Sequence, residues 1–117
     1  MRRAILICVV ISTFGYASAE YTPTTGYAVR EIEGWRVLVN RELLSDHAQL
    51  TKDVLKLLEF QLFQITRVVP AEPLEAIRKV PIWVEYDAPR HRCMCYHPSR
   101  KWLTENGFNP EKERSVE

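Results

Sequence analysis

One run of apolar residues at helical spacing constrains this chain more than any other feature. Leu50, Val54, Leu57, Leu58, Leu62, Ile65 and Val69 recur at steps of three and four, which lines them along one stripe of a helix. Lys52, Asp53, Lys56, Glu59 and Gln64 lie mostly off that stripe. Burying large apolar side chains yields about 1.5–3 kcal/mol each, so this helix alone offers on the order of 10 kcal/mol of gross burial. A stripe of that size demands a second layer to cover it. Phe60 and Phe63 widen the apolar face, so the helix is expected to back a sheet, with core packing favoured over ligand binding for the aromatic pair. Ser45 or Asp46 is the expected cap, His47 a surface residue of the first turn, and Pro70 the stop.

The sheet has to come from the flanking segments. Tyr27, Val29 and Ile32 precede Gly34, and Trp35, Val37 and Val39 follow it on one face, the alternation of strands with one buried side. Glu33-Gly34 is a hairpin turn by composition, Gly34 supplying the positive φ. Asn40 ends the second strand. After the stiff Pro70-Ala71-Glu72-Pro73 corner, Leu74, Ile77 and Val80 fit one or two helical turns. The run V-P-I-W-V-E-Y at 80–86 is β-branched and aromatic and reads as a strand. Ser99 to Asn106 reads as a short helix anchored by Trp102 and Leu103 and ended by Gly107. The expected fold class is therefore α+β: a small sheet of about three strands, a hairpin plus one, backed by one long amphipathic helix.

The amino end reads as a secretory signal peptide over 1–19. Arg2 and Arg3 precede an apolar run over 4–11, and Ala17 and Ala19 stand before Glu20 at signal-peptidase spacing. Ser12, Thr13 and Gly15 interrupt the run well short of the ~20 apolar residues of a spanning helix. Cleavage would remove Cys8 and two of the 16 basic residues and no acidic one, leaving 14 against 15, a net charge of −1. That balance offers nothing to nucleic acid or anionic lipid, and no later segment is long enough to span a membrane. The rest divides into a lead-in at 20–26, one α+β domain at 27–108 that is expected to be incomplete, and a charged tail at 109–117. The expected location is secreted or extracytoplasmic.

Two cysteines remain, in the one constellation able to carry chemistry: His91, Cys93, Cys95 and His97, alternating within seven residues. On a strand all four share a face, and four side chains in a row do not converge on one ion. Paired zinc cysteines usually have two to four residues between them, so that a turn joins the sulfurs, whereas only Met94 separates Cys93 from Cys95. A looped backbone could offer two or three of them to zinc or cuprous copper. A local or intermolecular disulfide, or unpaired structural cysteines, fit the same residues. Thiol catalysis needs a base and oxyanion donors, which no pattern here supplies. Glu85 and Asp87, two apart on a strand, offer a paired-carboxylate alternative.

Three stretches, read together, carry a resemblance: G-W-R-V-L-V-N-R-E-L-L at 34–44, V-P-I-W-V-E at 80–85, and C-M-C-Y-H-P-S-R-K-W-L-T-E-N-G-F-N-P-E-K at 93–112. They resemble the amino-terminal half of a group of secreted bacterial proteins, common in planctomycete-type genomes, that look like zinc metallopeptidases. In that group an H-E-x-x-H helix follows, its two histidines holding zinc and its glutamate activating water. This chain has histidines only at 47, 91 and 97 and no such motif, so no catalytic residue carries over. The resemblance implies the sheet and backing helix of a zincin-like lobe. Zinc and a peptide or protein substrate would belong to the portion bearing the motif. The rival expectation is a small extracytoplasmic binding domain that uses the Cys93–His97 loop for a metal or a partner.

Overall fold

A computed structural model describes residues 21–86 and 94–117. The segment 1–19 expected to be a signal peptide, Asp87, His91 and Cys93 lie outside the described residues. The protein is α+β, with strands β1 (Tyr27–Ile32), β2 (Trp35–Asn40), β3 (Ile82–Val84), β4 (Tyr96–His97) and β5 (Ser115–Val116), and helices α1 (Arg41–Asp46), α2 (Ala48–Val68), α3 (Ala71–Arg78) and α4 (Arg100–Glu105).

Among the described residues the sheet has five strands, not three, in the order β1-β2-β3-β5-β4. β1 and β2 form the expected antiparallel hairpin, and β2, β3 and β5 run parallel through the middle. β4 returns antiparallel on the far edge. The two strands that sequence reading lacks are two residues long each, too short to show alternation. One of them, Ser115–Val116, lies within the segment read as a charged tail and sits between β3 and β4. Backbone bonds hold it there: Val116 N–H donates to Pro81 O at 2.9 Å, and Cys95 and Glu117 exchange two bonds at 2.8 and 2.9 Å.

The hairpin turn holds Glu33 at φ 51° and Gly34 at φ 87°, the left-handed pair of a tight turn. Gly34 is needed twice over, because a Cβ there would come within 2.6 Å of Arg78 Nε. That guanidinium donates to Glu33 O at 2.9 Å and lies over the Trp35 ring.

Neither Ser45 nor Asp46 caps the long helix. Asn40 caps a separate short helix, α1, by accepting from Glu42 N–H at 3.0 Å, and His47 is the joint between α1 and α2. His47 stacks on Tyr86 with ring centroids 4.0 Å apart. Pro70 does end α2, its predecessor Val69 being extended.

Trp35, Val37 and Val39 of β2, Leu43, Leu62, Leu74 and Ile82 form the main core, with Leu55, Leu58, Ile65 and Val69 packed against it. The sheet-facing side of α2 is thus turned from the stripe drawn on the sequence. Leu50, Val54 and Leu57 point to solvent, as do Phe60 and Phe63, which do not widen the buried face. In α4, Leu103 is fully buried, whereas Trp102 keeps one side in solvent and stacks on Phe108 at 5.3 Å.

Candidate functional site

The even-numbered side of β2 faces away from α2. Leu38 packs there with Tyr27 and Trp83 in a second, smaller core, the two rings meeting edge to face at 4.8 Å. Two residues further along each strand, the same face presents Asn40 and Glu85. A carboxylate pointing inward from a strand is costly unless it is paired, and here it is. Glu85 Oε1 accepts from the Tyr27 hydroxyl and from Lys112 Nζ at 2.7 Å, while Oε2 accepts from Asn40 Nδ2 at 3.1 Å.

Lys112 is the hub. It ends the 3₁₀ turn Pro110–Lys112, where the Glu111 N–H donates to the Asn109 side chain at 3.0 Å, and its ammonium also donates to Glu117 Oε1 at 2.7 Å. The other Glu117 oxygen lies 2.9 Å from His97 Nε2. Nζ sits 5.4 Å above the Trp83 ring and 5.8 Å above Tyr27, close enough for both π-faces to add attraction. Lys112, Glu117 and His97 side chains are 4–7 % exposed and Glu85 13 %, so the cluster is largely out of water. Trp83 Nε1 is buried with no hydrogen-bond partner among the described residues.

The network runs the width of the sheet: Tyr27 from β1, Asn40 from β2, Glu85 just past β3, His97 from β4, and Lys112 and Glu117 on either side of β5. All four carboxylate oxygens are engaged by other members. Such an arrangement locks the strands together.

Burial holds the Tyr27 phenol well above its ordinary range, reinforced by its bond to Glu85 and the Glu85 and Glu117 charges, with Thr22 acting weakly the other way. The unfolded phenol ionises near pH 10 while the folded one keeps its proton. This contribution to stability is therefore fully present below about pH 10 and lost as pH rises above it. Stability measured by urea unfolding is expected to fall more steeply above that pH in the native sequence than in Tyr27→Phe. Parallel curves would contradict it.

Of the residues singled out on sequence, Glu85 and His97 enter this network. Cys95 is half-buried beside it and His91, Cys93 and Asp87 lie outside the described residues. Among the described residues no three His, Cys, Asp or Glu side chains are grouped to hold a metal ion. Glu85 was findable, since it falls on the same strand face as Trp83; Lys112 and Glu117 sit in a run of charge with no pattern to mark them.

The fold and site define an α+β domain closed on one face of its sheet by a long helix and on the other by a buried ionic network. Comparison with family models, curated proteins and solved structures gives no match.

Proposed function

We propose that this chain is the non-catalytic scaffold portion of a secreted zinc metallopeptidase-like protein, inactive as it stands because it contains no H-E-x-x-H. One observation carries this reading. The three stretches that bear the resemblance each contribute to the same buried network: Asn40 from the first, Glu85 from the second, His97 and Lys112 from the third. The resembled residues are thus the ones that hold the lobe together, as a scaffold requires. A long helix laid over a mixed sheet suits the sheet and backing helix of a zincin-like lobe.

The described residues do not fit a zinc ion. The cation between Glu85 and Glu117 is the Lys112 ammonium, and His97 Nε2 is taken by Glu117. Zinc and peptide binding belong, in this reading, to the portion bearing the motif.

Sequencing the DNA past the Glu117 codon is expected to find an H-E-x-x-H segment in one of the frames. An intact unrelated gene starting there would overturn the reading. The purified chain supplied with zinc is expected to leave an unfolded protein substrate uncut, and zinc-dependent cleavage by it would be equally damaging.

A further inference from the structure

At the hairpin end of the sheet an open cleft of about 600 Å³ lies between the β1–β2 turn and the residues that join α3 to β3. Arg36 stands across from Glu31 in the hairpin register and alternates with Trp35 and Val37, so both point to the face away from α2. Arg78 and Lys79, leaving α3, and Pro81, entering β3, form the other side. Arg30 alternates to the opposite face and adds its charge from the edge of β1. Four cations thus line the cleft against one acid, Glu31, a surplus of three positive charges in a chain whose whole net charge is +1. Among the described residues none of the four is paired with a carboxylate, the ion pairs being made by Arg100, Lys101, Lys112 and His97. One guanidinium is already held in place. Arg78 donates to Glu33 O at 2.9 Å and lies 5.4 Å over the Trp35 ring, an approach open because Gly34 has no side chain.

We infer that this cleft binds the phosphate of a small hydroxylated monoester, a sugar phosphate in size and polarity. A phosphate monoester carries close to two negative charges at neutral pH, so it suits a surplus of three cations better than a singly charged carboxylate does. Arg36 offers a planar fork, Arg78 its two terminal nitrogens, and Lys79 a point charge. Because Arg78 is clamped beforehand, less freedom is lost when the anion is bound. A cleft of this volume lies within the range of small-molecule sites and exceeds what a bare phosphate fills. Glu31 then selects the rest of the ligand. Facing Arg36 from the neighbouring strand, it accepts from a hydroxyl beside the ester and disfavours a second phosphate there. The cleft is thereby set apart from a track for the phosphate chain of a nucleic acid. None of its charged residues enters the buried network, so the site is independent of the zincin-like reading.

Titration calorimetry of the purified chain tests this, with ribose phosphate as the probe and ribose and inorganic phosphate as comparisons. Ribose phosphate is expected to bind with a micromolar to low millimolar constant that weakens with added salt, and ribose not at all. Arg36→Gln and Lys79→Gln, both at exposed positions, should each weaken binding about tenfold, the loss of one charge-assisted bond. Lys101→Gln, on α4, should leave it unchanged. Glu31→Gln should tighten inorganic phosphate, by removing the one negative charge of the cleft, and narrow the preference for ribose phosphate over it. Circular dichroism confirms that each variant is folded. No heat of binding at millimolar ribose phosphate would overturn the proposal. So would binding that Arg36→Gln and Lys79→Gln both leave intact, or that ribose equals.

Discussion

Replacing Lys112 by methionine is expected to cost about 3–5 kcal/mol, the loss seen when one partner of a buried ion pair is removed. The side chain is nearly isosteric, so packing over Trp83 and Tyr27 changes little. What changes is charge: Glu85 and Glu117 lose their shared ammonium while remaining almost out of water. A domain of this size has on the order of 5–15 kcal/mol of stability altogether, so the variant should lose a large fraction of it and unfold at a clearly lower urea concentration. Urea unfolding measures it, with two comparisons to locate the cause. Lys101→Met breaks only the exposed pair with Glu105 at 3.7 Å and should shift the midpoint little. Glu85→Gln/Glu117→Gln added to Lys112→Met removes the stranded charges and should recover part of the loss. If Lys112→Met behaves like Lys101→Met, the network is not the clamp described here.

That result bears on why the clamp was hard to read. Half of it was legible, because strand alternation puts Tyr27, Leu38 and Trp83 on one face and Asn40 and Glu85 in line with them. A buried glutamate then requires a cation, but sequence does not say which of the five lysines supplies it. Lys112 reaches it because Ser115–Val116 inserts between β3 and β4, a pairing made by backbone bonds with almost no apolar signature. The hairpin and the Pro70 stop depend on local backbone chemistry and were legible in the residues themselves. The start of α2 was not, since Asn40 caps a separate turn first and His47 serves as a joint without a side-chain bond to α2. Beside two cysteines, His97 reads on sequence as a candidate metal ligand. Its described partner is Glu117, 20 residues later, a contact that only the folded edge of the sheet creates.

The same limit applies to α2, where a second large effect is expected. Leu62→Ala should destabilise the domain by about 2–5 kcal/mol, while Leu57→Ala should change the monomer's stability by less than about 0.5 kcal/mol. On sequence the two leucines are equivalent members of one stripe. In the fold Leu62 is 5 % exposed and packed with Trp35, Val37 and Val39, whereas Leu57 is 61 % exposed. Truncating the first leaves a cavity between helix and sheet; truncating the second only removes apolar surface from water. Urea unfolding of both variants under identical conditions makes the comparison. Equal losses would mean that the helix sits rotated toward the stripe its spacing suggests. A helix apolar around so much of its girth has two faces that could meet the sheet, and periodicity alone does not choose between them. Thr51 does: its hydroxyl, buried on the Leu62 side, donates to Leu43 O at 2.7 Å and fixes the rotation from the first turn.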